Sequence, residues 1–281
     1  MTIPPASGDK PTNRPGERFT RTAVAWEIFT DLCDMIEFAT ILGFAVLQSI
    51  FGIGILFFGT PTLLLLGFPF YETLSILLPA SLAVSLFQVI GSGLPDSQRI
   101  CGYVMWCLAP LAIALTGGLT FGWDLELESI VAATLLLYVI IRLSPRTETM
   151  LQHSVRRLPQ AWLVAIGTIH GLSNLGGGLL AIFTASRFDN KQAVRSNIAF
   201  CYLCFAAIQL GALAILRPDV MHLAQLGYAA LAIVVFVIVD RLVFGSIVNP
   251  VFDKILTMVI GCYSALIILK LTGVLQAPAA T

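Results

Sequence analysis

The sequence predicts an all-α integral membrane protein, and two observations carry that reading. Of 281 residues, 57% are hydrophobic and only 11% charged, whereas soluble domains carry about 25% charged residues. The apolar residues also come in long uninterrupted runs, with no alternation of polar and apolar positions. Only a helix satisfies every backbone hydrogen bond within such a run. Lys plus Arg and Asp plus Glu balance at 16 each, so no global field favours nucleic acid as a partner.

A crossing needs about 20 mainly apolar residues, and by that rule about eight transmembrane helices are expected. They fall at residues 36–66, 73–90, 100–119, 127–143, 161–186, 196–216, 223–239 and 252–271. Residues 1–35 form a polar tail carrying Pro4, Pro5, Pro11 and Pro15, with Lys10, Arg14, Arg18 and Arg21. They lack the apolar core of a secretory signal. The region divides further into a first transmembrane repeat (36–141), a basic linker (142–160) and a second repeat (161–281).

The repeat rests on two interrupted segments. Residues 36–66 are too long for one straight crossing and contain Gly43, Gly52, Gly54, Gly59 and Pro61; residues 161–186 contain Gly167, Gly171 and Gly176 to Gly178. A broken or kinked first helix in each half is therefore expected. A shift of 124 positions superposes Gly43 on Gly167, Ser49 on Ser173, Gly52 on Gly176, Gly54 on Gly178 and Thr60 on Thr184. Two homologous four-helix halves follow.

The glycine motifs Ser49-Ile50-Phe51-Gly52-Ile53-Gly54 and Ser173-Asn174-Leu175-Gly176-Gly177-Gly178 are the strongest candidates for a site. A helix broken there frees backbone amides and presents a half-helix N-terminus to an anion. Close helix packing through small residues is the alternative use of the same glycines. Polar side chains on these segments, Gln48, Ser49, Thr60, His170, Ser173, Asn174 and Thr184, are the next candidates, because polar groups in hydrocarbon face a cavity or a partner. His170 and Asn174 are four apart and share one helix face where the helix is continuous. Gln88 and Gln209, late in the helices following each motif, are placed to line the same cavity, with interhelical hydrogen bonding as the alternative. Arg195 is a candidate to attract an anion at the mouth, or else snorkels to the interface. Asp240 and Arg241 read as an interfacial or paired set. Cys201 and Cys204 form C-x-x-C without the further ligands of a metal site, and they read as buried packing residues. No metal or other cofactor is expected.

At these residues the chain resembles the TauE/SafE sulfite exporter family of membrane permeases. The resemblance rests on Gly52-x-Gly54 followed by Pro61 and Gly67, on Gly176-Gly177-Gly178 followed by Lys191-Gln192-Ala193, and on residues 251–271. It implies transport of a small sulfur oxyanion or organosulfonate, such as sulfite, sulfoacetate or thiosulfate. The expected function is thus a secondary transporter working by alternating access at the glycine motifs, in a cell inner membrane, and not an enzyme. A non-transporting accessory subunit and an intramembrane enzyme are the rival classes. The expected partners are a small anionic solute and the lipid bilayer, with a homo-oligomer left open. With eight crossings, eleven Lys and Arg residues fall on the side of the N-terminal tail and five on the other, which puts both termini in the cytoplasm. A re-entrant motif segment changes that count.

Overall fold

The computed structural model describes residues 35–121 and 145–244, with isolated helical positions at 133, 134, 136, 258, 262, 265 and 269. The N-terminal tail and Cys33 lie outside the described residues. So do the expected spans at 127–143 and 252–271, apart from those isolated positions. Contacts divide the chain into Met1–Ala39, described only over the first residues of α1, and Thr40–Thr281, which holds everything that follows.

No strand occurs among the described residues. The helices are α1 (Met35–Phe51), α2 (Ile55–Leu65), α3 (Phe70–Ser92), α4 (Ser97–Tyr103), α5 (Ala109–Phe121), α6 (Pro145–Arg157), α7 (Pro159–Ser173), α8 (Gly176–Ala185), α9 (Lys191–Leu216) and α10 (Gln225–Val239). A π turn at Val104–Leu108 joins α4 to α5, and another at Asp240–Phe244 follows α10. Four stretches are long and apolar enough to cross a membrane: Phe70–Ser92, Ser97–Thr120, Lys191–Leu216 and Gln225–Leu242. In the second and fourth only 28% and 22% of the most apolar window is buried. Such helices hold their apolar side chains outward, Ile113, Val234 and Ile238 among them, as lipid solvation allows and water does not. By contrast α3, 67% buried over its apolar window, packs against α2, α9 and α10, while α5 packs against α7.

Both interrupted segments are broken, and in each the chain doubles back. α1 stops at Phe51 because Gly52 takes φ 76° while its N–H still reaches Gln48 O at 2.8 Å, an αL helix ending. In a continuous helix Phe44 and Phe58 would lie about 21 Å apart along the axis; here their rings stack at 5.9 Å. α7 ends the same way at Asn174, φ 63°, whose N–H bonds His170 O at 2.8 Å; asparagine is the usual substitute for glycine in this conformation. Gly54 lies over the backbone of Phe44 and Gln48, and Gly176 over that of Ile166 and His170. The two reversals therefore match at a spacing of 122 residues, Gly52 with Asn174 and Gly54 with Gly176. That is two fewer than the glycine pattern alone suggests, because the left-handed position is glycine in one copy and asparagine in the other. The returning arms, 11 and 10 residues long, extend only about 16 Å, half the hydrocarbon core of about 30 Å.

Two elements differ from the sequence reading. The stretch read as a linker contains α6, and α7 begins at Pro159; α6 is mostly polar, so a search for apolar runs passes over it. Val155 is its fully buried contact, and Arg156 Nε and Ser154 Oγ bond Ser186 O and Trp162 Nε1. α9 starts five residues before the expected 196, at Lys191, capped by Asn190 Oδ1 accepting from Gln192 N at 2.9 Å. Arg195 consequently sits inside the helix rather than ahead of it. At the far end of α9, Arg217 lies 4.0 Å over the Tyr71 ring at the start of α3 and bonds Asp219 at 3.0 Å. That bond holds the Asp219 carboxyl below its ordinary range.

Candidate functional site

Each helix reversal is gripped by the far end of the long helix that follows it. At the first, Gln48 is fully buried. Its Nε2 donates to Ser81 O and to the Ser81 and Ser85 hydroxyls, all at 3.1 Å. Its Oε1 accepts from Ile55 N at 3.1 Å, capping the returning arm α2. Gln88 Nε2 donates to Gln48 O at 2.7 Å and Ser49 O at 3.3 Å. Ser49 bonds back to Ala45 O. Gln48 and Ser49 thus build the turn. The serines that hold Gln48 were not singled out from sequence, although Ser81, Ser85 and Gln88 form a stripe at helical spacing.

At the second reversal Gln209 Nε2 donates to Asn174 Oδ1 at 3.3 Å, and Ser173 bonds back to Ile169 O. Asn174 Nδ2 donates to Thr60 Oγ1 at 2.7 Å. This bond links the tip of one hairpin to the returning arm of the other across 114 positions. Gly176, Gly177 and Gly178 are buried at the start of α8, where first-turn N–H groups lack intrahelical partners. A Cβ on Gly177 would overlap the Tyr202 hydroxyl, so Tyr202 stands directly over the motif. No sequence pattern distinguishes Tyr202 from the other aromatics of an apolar helix.

His170 lies beneath this turn with no exposed surface. Its ring packs 4.3 Å from Phe205 and 5.6 Å from Tyr202. Neither ring nitrogen has a hydrogen-bond partner, and Gln209 Oε1 and Gln88 Oε1 are likewise buried and unpartnered. Gln209 lies close enough to interact electrostatically with the imidazole, but no bond of good geometry forms. Unpartnered buried donors and acceptors cost about 1–3 kcal/mol each; those of His170 and Gln209 lie at the Asn174 turn, whereas that of Gln88 lies at the first reversal.

Arg195 does not snorkel. It is 5% exposed, donates to Asp240 Oδ1 at 2.6 Å and to Ser49 O at 3.3 Å, and its Cγ lies against Gly52. Its charge is balanced by the first residue of the π turn, consistent with the expectation that Asp240 is a paired group. Arg195 therefore ties α9, α10 and the first reversal together. Asn197 accepts from Tyr103 Oη at 3.0 Å. Cys201 and Cys204 are free thiols. No family model, curated protein or solved structure matches the chain.

Proposed function

We propose that the chain is a secondary transporter for a small anion, most readily a sulfur oxyanion or organosulfonate of the kind its resemblance to TauE/SafE permeases implies. The observation that carries this reading is the Asn174–Thr60 bond, made where the tip of the second hairpin meets the returning arm of the first, beside the unpartnered imidazole of His170. An oxyanion entering there exchanges one internal bond for several. The Asn174 amide and the Thr60 hydroxyl turn to it, His170 supplies a ring N–H, and the amides opening α8 face it. Separating the two hairpins breaks the same bond, which couples binding to movement of one half against the other.

The hairpins also support an arrangement of the chain. If each returns to the side it entered, and the spans expected from sequence at 127–143 and 252–271 cross, every half makes three crossings: α3, α4–α5 and the first of those spans, then α9, α10 and the second. An odd number inverts the second half relative to the first. Lys10, Arg14, Arg18, Arg21, Arg217 and Lys270 then share one side and the other ten of the 16 basic residues the opposite side. In place of two cytoplasmic termini, that distribution favours a cytoplasmic α6 region and outward termini.

The test is thermal unfolding of the detergent-purified chain with sulfite, thiosulfate, sulfoacetate, sulfate and chloride, beside flux of the stabilising anion into proteoliposomes. One sulfur anion is expected to raise the unfolding temperature in proportion to log concentration. Asn174→Ala is expected to lose at least about tenfold in affinity, the value of one bond to a charged group. Absence of any shift well above millimolar, together with absence of flux, would move the reading to a non-transporting subunit.

A further inference from the structure

A cleft away from the hairpin tips has the chemistry of a binding site. It encloses about 470 Å³ between the starts of α4 and α7 and the end of α8, within the usual range for small-molecule sites. Two arginines line it, each laid on an aromatic ring: Arg99 4.7 Å from the Phe188 centroid and Arg187 5.4 Å from the Phe183 centroid. Stacking covers one face of a guanidinium and leaves its N–H edge available. Among the described residues neither arginine is in an ion pair, although both act on the Tyr103 phenol. The amides of Gln98 and Gln160 add donors, Trp106 and Leu163 add apolar wall, and among the described residues Asp96 is the single carboxylate lining the cleft. Two guanidinium groups against one carboxylate leave a net positive, half-apolar cleft.

We propose that this cleft binds an organic anion: a phosphate, sulfonate or carboxylate group held by Arg99 and Arg187, on an apolar body resting against Trp106 and Leu163. Bidentate guanidinium contacts suit such oxyanions. The site stands whether or not the hairpin tips carry transport. Its floor nevertheless reaches the same helices, because Phe183 belongs to α8 and Tyr103 bonds Asn197 of α9. At a helix-end position the anion has two sources, a soluble solute or an anionic lipid headgroup.

The experiment titrates the full-length chain in detergent with phenylphosphonate, benzenesulfonate, dihexanoyl phosphatidic acid and uncharged dihexanoyl phosphatidylcholine. The readout is the fluorescence change lost in Trp106→Phe. A saturable change with the aryl anions, weakened about tenfold or more by Arg99→Gln and by Arg187→Gln but not by Arg217→Gln, supports the site and a soluble ligand. The same pattern with phosphatidic acid alone supports the site and a lipid ligand. No Trp106-dependent change with any anion, or one equal for phosphatidylcholine, overturns it. Because Trp106 reports on the unaltered chain, that outcome counts against the site even where an arginine variant fails to fold.

Discussion

Gly54→Ala and Gly176→Ala are each expected to destabilise the protein by about 3 kcal/mol or more, and to leave little folded material in detergent. The added methyl has no room to move into. At Gly54 it would lie on the backbone of Gln48 and Phe44, and at Gly176 on the Ile166 carbonyl, 2.5 Å away, and the His170 backbone N–H, 3.0 Å away. Overpacking that flexible side chains can absorb costs typically about 1–3 kcal/mol; here the obstruction is main chain, and relief requires opening the hairpin. Gly211→Ala is the matched comparison: the same change within α9, with nothing within 4 Å of the new atom. It is expected to be neutral or stabilising by up to about 1 kcal/mol, alanine being the better helix former. Thermal unfolding of the three variants checks this, and equal behaviour of Gly54→Ala and Gly211→Ala would refute the doubled-back geometry of the first hairpin.

Asp240→Asn is expected to destabilise by about 2–3 kcal/mol, and more than Arg195→Met does. Breaking a fully buried ion pair costs about 3–5 kcal/mol, and the partial exposure of Asp240 lowers that figure. The asymmetry follows from depth: the Arg195 side chain is 6% exposed and that of Asp240 34%. Neutralising the aspartate takes the Asp240 charge away from a buried cation beside the Ser49 carbonyl, whereas removing the arginine leaves a carboxylate that solvent or lipid headgroups can reach. The double variant Arg195→Met/Asp240→Leu should recover much of the loss. Unfolding measurements on the two single variants and the double variant give the coupling directly; additive losses would mean that the pair does not hold α9 to α10.

The candidate site was legible where chemistry and spacing coincide. Gly52, Gly54 and Gly176 announce themselves because few other residues serve a left-handed turn or a backbone-to-backbone approach. Gln48, Gln88, Asn174 and Gln209 stand out because a polar group in an apolar run must find a partner. Their division of labour was not legible. Gln48 caps a helix while Asn174 bridges the hairpins, and nothing in either residue's neighbours along the chain separates those roles. Asn174 at the left-handed position also hid the true spacing of the two turns, since a search for matching glycines aligns Gly52 with Gly176 instead of with Asn174.

Composition and the length of the apolar runs determine by themselves that this is a helical chain suited to a membrane, and the motif residues, Gly52 in one copy and Asn174 in the other, determine where two of its helices break. Both follow from local physics: backbone groups in an apolar run must bond within the helix, and positive φ excludes most side chains. Tertiary structure alone decided that the broken segments fold back, that Arg195 is neutralised by Asp240, and that α6 is helical although polar. It also decided that Arg99 and Arg187 lie stacked in one cleft. These features depend on residues far apart in the chain or on burial against other helices, and their energies arise only once those helices are packed together.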